Sequence, residues 1–144
     1  MFFLKDLPST EMIEAVTADV PDVDAQHVQT VLSHLRSASV LMRDIEAYLR
    51  GHGLSQTQFL AMMMIVREPD RTSLSAAEIA RRLDVSKPVL SKALGTLMDK
   101  RLLQIAHTQP ADQRQTQLSL TDQGETAFSQ VLPGYFALLH EADM

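Results

Sequence analysis

The order of short elements between Ser75 and Gly124 limits the fold of this chain more than any other feature. The segment reads SAAEIARRLDVSKPVLSKALGTLMDKRLLQIAHTQPADQRQTQLSLTDQG. Ser75-x-x-Glu78 has the spacing of a capping box and opens a helix. Asp84-Val85-Ser86 reads as a turn and a new N-cap, which keeps that helix short. Lys87 and Pro88 then take the first helical positions, where a missing backbone N–H costs nothing. This second helix runs to about Lys100. Leu102–Ala106 and Gln115–Leu120 read as strands, joined by the loop Gln109-Pro110-Ala111-Asp112-Gln113. Two short helices, a tight turn and a two-stranded hairpin form a helix-turn-helix with a wing, a shape that presses one helix into a DNA groove.

The flanks are helical. Ser9 or Thr10 starts a short helix near Glu11–Thr17, which Pro21 ends. From Asp24 to about Arg50 the residues Val28, Val31, Leu32, Leu35, Met42, Ile45 and Leu49 recur at helical spacing. Gly51-His52-Gly53 stops this long helix. Ser55-Gln56-Thr57-Gln58 starts another, which reaches about Arg67. Thr121 caps a final helix, and Pro133-Gly134 is expected to bend or break it. The fold class is therefore mainly α with a small β-hairpin wing.

Composition removes several chemistries. The chain has no cysteine, so thiolate nucleophiles and disulfides are absent. The longest apolar run, Phe59–Val66, falls far short of the ~20 residues that span a bilayer. The opening MFFLKD lacks the long apolar segment of a signal peptide, so a cytoplasmic location is expected. No nucleophile–base signature, phosphate-binding glycine loop or HExxH motif is present, which argues against an enzyme. His27 and His34 lie about 10 Å apart along one helix, too far for one metal ion without other ligands. No cofactor and no metal are expected.

The net charge of −5 argues at first against a nucleic-acid partner. Its distribution reverses that. Residues 79–114 carry seven Lys and Arg against three Asp, a balance of +4, whereas residues 1–50 carry four against eight acids, a balance of −4. Screening acts over about 8 Å in physiological salt, so a polyanion responds to the nearby patch rather than to the total.

On the second helix of the motif, Val89, Leu90, Ala93, Leu94 and Leu97 form the expected inward stripe. Lys87, Ser91, Lys92, Gly95 and Thr96 are expected to face outward. Small and hydroxylated residues let a helix approach base edges, and lysines at its start suit phosphate or guanine contacts. Arg114, at the end of the wing loop, is long enough to enter a narrow minor groove. Asp112, two residues earlier, is expected to shape that loop.

Three motifs carry a resemblance. Asp112-Gln113-Arg114 resembles the D-x-R wing signature of the MarR family of winged-helix transcriptional regulators. Leu118-Ser119-Leu120-Thr121-Asp122-Gln123-Gly124 resembles the family's L-x-L-T-x-x-G strand-to-helix junction. Leu54-Ser55-Gln56-Thr57-Gln58-Phe59 resembles the start of its second helix. The similarity covers about residues 24–135. It implies a homodimeric repressor on a pseudo-palindromic DNA operator, released by a small aromatic or phenolic carboxylate. It also implies recognition-helix positions at Ser86, Lys87, Pro88, Ser91 and Lys92, with Arg114 as the wing arginine; outward-facing Thr96 joins them as a candidate DNA contact.

In this frame residues 1–23 are an acidic extension, 24–54 a dimerisation helix, 55–120 the winged helix-turn-helix domain and 121–144 a C-terminal dimerisation helix. Family chains usually carry a glycine near Arg101 and a longer C-terminus. The closing helix is therefore expected to be short. An effector cleft between the dimerisation and DNA-binding parts would draw on His34, Phe59, Met62 and Met63, although the methionines also suit plain core filling. The competing reading is a winged-helix module that docks protein without sequence-specific DNA binding.

Overall fold

The computed structural model describes residues 2–106 and 115–143. Asp112, Arg114 and the wing-loop tip lie outside the described residues. Among the described residues, six helices and three strands follow in order: α1 Thr10–Val16, α2 Ala25–Gly51, α3 Gln56–Val66, β1 Leu74–Ser75, α4 Ala76–Ala80, α5 Lys87–Asp99, β2 Leu103–Ile105, β3 Gln117–Leu120 and α6 Asp122–Glu141. The chain forms two compact units, one of residues 1–45 and 137–144, the other of residues 46–136. The divisions fall inside α2 and α6, not at the loops where a sequence reading would place them.

In the first unit, Ser9 caps α1 by accepting from Met12 N at 3.1 Å. Asp24 caps α2 by accepting from Gln26 N at 3.0 Å. The residues before α1 lie along α2 with opposite chain direction: Ser39 Oγ donates to the Phe2 carbonyl and Gln29 Nε2 to that of Pro8. The apolar stripe of α2 is buried at Ile45, but Val31 and Leu35 stay exposed, as do Phe3 and Leu139.

The second unit holds the main core. Leu49, Phe59, Met62, Leu74, Ile79 and Leu97 are all fully buried there. Phe59 stacks on Phe128 at 5.4 Å and meets Tyr135 at 4.7 Å. Both expected capping boxes are present, Ser55 with Gln58 and Ser75 with Glu78. Each satisfies two helix-end donors reciprocally.

The wing strands β2 and β3 pair antiparallel, with Leu103 opposite Leu120 and Ile105 opposite Leu118. A third strand, unforeseen in the sequence, joins them: β1 pairs with β3 through Leu74–Leu118 and Ser75–Gln117, so the sheet order is β1-β3-β2.

The break expected at Pro133 in α6 is corrected. The helix is 20 residues long and runs through Pro133 without a break. Proline removes one backbone donor and crowds the preceding turn. Here the neighbourhood is supported from outside the helix. Tyr48 Oη donates to the Val131 carbonyl at 2.7 Å, and Gly134 leaves room for the Tyr48 ring, whose hydroxyl would lie 2.2 Å from an added Cβ.

The end of α5 explains the unusual Arg101. Leu102 N donates to Leu97 O and Arg101 N to Met98 O, the two bonds of a Schellman motif. That motif places Arg101 at φ 61°, the left-handed region that glycine occupies without strain. Arg101→Gly is expected to stabilise the fold by about 0.5–1 kcal/mol, the relief of left-handed strain less the added freedom of the unfolded chain. Urea denaturation of the two proteins measures this, and a less stable variant would contradict it.

Candidate nucleic-acid interface

The helix-turn-helix is built from local signals. Ser86 ends the turn with extended backbone at φ −69° and ψ 154°, and its Oγ accepts from Val89 N at 3.4 Å. Lys87 and Pro88 occupy the first turn of α5 as expected. Leu90, Ala93, Leu94 and Leu97 bury its inner face.

Val89 departs from the expected inward stripe. It is 49% exposed and sits beside Lys87, Pro88 and Lys92 on the outer arc. Its place at the border of the apolar arc is the reason, because a 3.6-residue period carries the position one before Leu90 out of the core. An exposed valine among lysines offers an apolar contact for a thymine methyl group.

The outer arc holds the expected set. Ser86, Lys87, Pro88, Ser91, Lys92 and Gly95 are exposed. Thr96 is half-buried, and its hydroxyl donates to the Lys92 carbonyl at 3.0 Å. A Cβ at Gly95 would meet nothing within 4 Å, so packing inside the chain does not demand glycine there. A groove of about 470 Å³ runs between Ala76, Ala77 and Ala80 of α4 and the Lys87–Ser91–Gly95 side of α5.

The cations of this region differ in availability. Arg82 is paired with Glu68 at 2.6 Å, and Lys100 Nζ donates to the Gly53 carbonyl at 2.6 Å. Lys87 and Lys92 have no ion-pair partner among the described residues. Pairing thus removes part of the segment's sequence balance, while Lys87 and Lys92 on α5, with exposed Arg81 and Arg101 beyond the helix ends, stay without an ion-pair partner among the described residues.

At the far edge of the motif, the Arg71 guanidinium hydrogen-bonds Glu78, and with the Ser75 backbone N–H it holds that carboxyl at about 2, well below the usual 4.5. A lowered folded-state pKa contributes stability above the ordinary carboxylate value and loses it as pH falls through the folded one. Glu78→Gln keeps a capping-box side chain but removes the charge. Its destabilisation relative to wild type should be fully present at neutral pH and shrink as pH drops from 4.5 toward 2. Urea midpoints across that range check the sign, and a difference that grows on acidification would refute it.

The four effector candidates are not equivalent. Phe59 and Met62 are completely buried in the core of the second unit, so no open surface exists through which they could line a cleft. Their apolar chemistry serves packing instead. Met63 is half-buried on the same helix. His34 belongs to the first unit, exposed, and lines a shallow cavity of about 360 Å³ with Leu7, Gln29, Thr30 and Ser33. No helix among the described residues is long and apolar enough to cross a membrane.

A capped two-helix unit with an exposed cationic second helix, followed by an antiparallel wing, defines a winged helix-turn-helix protein. A family model described as the MarR family matches residues 52–115. The HTH-type transcriptional repressor YetL of Bacillus subtilis (strain 168) is 30% identical over 135 residues, covering 93% of this chain and 79% of YetL. The chain belongs to the MarR family, whose members are transcriptional regulators and not enzymes.

Solved structures share the fold. Sco3205, a MarR family transcriptional regulator from Streptomyces coelicolor in complex with DNA, superposes with a TM-score of 0.72 at 21% identity, covering 83% of this chain and 74% of Sco3205. The Mycobacterium tuberculosis MarR family protein Rv2887, in complex with p-aminosalicylic acid, gives a TM-score of 0.60 at 23% identity over 75% of this chain and 78% of Rv2887.

Proposed function

We propose that this protein is a homodimeric repressor that binds a pseudo-palindromic operator and is released by a small aromatic or phenolic carboxylate. The observation that carries the DNA-binding part is the exposed arc of α5, where Lys87 and Lys92 flank Val89 with no ion-pair partner among the described residues. A B-DNA major groove about 12 Å wide admits such a helix. In this reading Ser86, Lys87, Pro88, Ser91, Lys92 and Thr96 meet the groove. Arg114 touches the flanking minor groove, in a loop shaped by Asp112.

Support for repression comes from the name of YetL, support for duplex DNA from the Sco3205 complex, and support for an aromatic acid from the Rv2887 complex. Exposed Val31, Leu35, Phe3 and Leu139 in the first unit are apolar surface suited to a second copy. On the effector side, His34 in the first unit and Met63 in the second each keep accessible surface, unlike Phe59 and Met62.

The test uses a duplex selected by the protein from a random-sequence pool. Affinity should fall with salt at a log–log slope of about −0.9 per phosphate neutralised, and Lys87→Ala or Lys92→Ala should each reduce the slope by roughly that amount where the lysine meets a phosphate. Failure to select any sequence, with a flat salt dependence, would favour the protein-docking module.

A further inference from the structure

One guanidinium links the helix-turn-helix to the wing through side chains. Arg71, in the loop between α3 and β1, donates from Nη1 to Glu78 Oε1 at 2.6 Å and from Nη2 to Glu78 Oε2 at 3.0 Å. The same Nη2 donates to Gln117 Oε1 on β3 at 3.3 Å. Gln117 is only 7% exposed, and Ser73 Oγ donates to its Oε1 as well, at 3.1 Å. Glu78 Oε2 in turn accepts from Ser75 N at 2.8 Å, which closes the capping box of α4.

Four segments thus converge on one cation: the α3–β1 loop, β1, the first turn of α4 and the strand that returns from the wing. Backbone pairing at this edge is slight, because β1 has two residues and meets β3 through two residue pairs. Buried Leu103, Leu118 and Leu120 hold the base of the hairpin in the core, but this short ladder by itself adds little to fix the hairpin's tilt. A planar fork with fixed donor directions defines it better, which a flexible ammonium cannot do. The neighbouring Glu68–Arg82 pair anchors the same loop to the end of α4 but does not reach the wing.

We propose that Arg71 is a positioning residue for DNA binding: its fork, shared between Glu78 and the buried Gln117, sets the angle at which the wing leaves the helix-turn-helix. This rests on the DNA-binding reading above. It adds a residue that touches no DNA yet controls whether the wing reaches the flanks of the site.

The test compares wild type, Arg71→Lys and Glu68→Gln. In the free proteins, hydrogen exchange at the β3 amides of Gln117 and Leu118 should accelerate in Arg71→Lys, while α5 amides keep their wild-type rates. On the duplex selected from a random pool, Arg71→Lys should weaken binding about tenfold. Hydroxyl-radical footprints should show that loss as missing protection at the outer flanks, with the centre still protected. Glu68→Gln, which breaks the parallel pair, should leave the flank protection in place. Unchanged β3 exchange in Arg71→Lys would overturn the clamp. So would loss of central and flank protection in equal proportion, or flank loss in Glu68→Gln to the same degree. If the wild type selects no sequence while β3 exchange still responds to Arg71→Lys, the operator reading fails and the clamp stands.

Discussion

Gly124→Ala is expected to destabilise the protein by at least about 3 kcal/mol, at the upper end of overpacking costs. Alanine normally improves a helix over glycine by roughly 1 kcal/mol, so the sign of the change is itself diagnostic. Gly124 lies in the first turn of α6, where an added Cβ would stand 2.1 Å from the Leu102 carbonyl oxygen, 3.0 Å from its carbon and 3.3 Å from its Cα. All three atoms are backbone, so no rotamer change relieves the clash.

The Leu102 carbonyl cannot swing aside cheaply either. It accepts from Thr121 N at 3.0 Å, and Leu102 N is engaged by the last turn of α5 through Leu97 O at 2.9 Å. Thr121 Oγ1 adds a 2.6 Å bond to the Arg101 carbonyl and accepts from Gly124 N at 2.9 Å. Moving α6 outward would therefore break the cap of α6, the end of α5 and the base of β2 together. The L-x-L-T-x-x-G motif has its physical meaning here: the threonine caps, and the glycine lets the helix start lie flat on the Leu102 backbone just before the wing's first strand. Urea denaturation of Gly124→Ala decides the matter, and a stability equal to or above wild type would refute this packing.

How much of this was legible in the sequence depends on how far apart the interacting residues stand. Both capping boxes, the Ser86 cap and the Thr121 cap are written within three residues and appear where the pattern put them. The outward set on α5 was legible too, because a helix with a strong apolar stripe fixes its own opposite side. Val89 was misplaced because it borders that stripe, where periodicity is least decisive. The strand β1 was invisible for another reason. Two residues have no period, and Leu74–Ser75 becomes a strand only by pairing with Leu118 and Gln117 more than forty positions later. The Arg71–Gln117 bond spans a similar separation. The left-handed Arg101 could be suspected only as an arginine where the family usually has glycine. The structure supplies the cause in the Schellman bonds at the end of α5.

The run Phe59–Val66 illustrates the same limit in α3, and it leads to the second large effect. The run is apolar all round, so periodicity gives no face, and nothing local separates a cleft-lining residue from a core one. The structure separates them: Phe59 and Met62 have no exposed surface, and Met63 retains some. Phe59→Ala is therefore expected to cost about 4 kcal/mol, the cost of a deleted core aromatic including the cavity left behind. The surroundings favour a high value. Phe128 and Tyr135 both lose a ring partner, at 5.4 Å and 4.7 Å. Both sit on α6, so closing the void would require that helix to move. Yet α6 is held through Tyr48 Oη on the Val131 carbonyl and through the Thr121 cap at its start. Collapse is thereby resisted, and the cavity persists. Met62→Leu, which nearly conserves volume, should cost less than about 1.5 kcal/mol. A residue on the open wall of a ligand cleft behaves otherwise, since its truncation enlarges a space that already holds water. Urea denaturation of Phe59→Ala distinguishes the two roles, and a cost below roughly 1 kcal/mol would return Phe59 to the list of effector contacts.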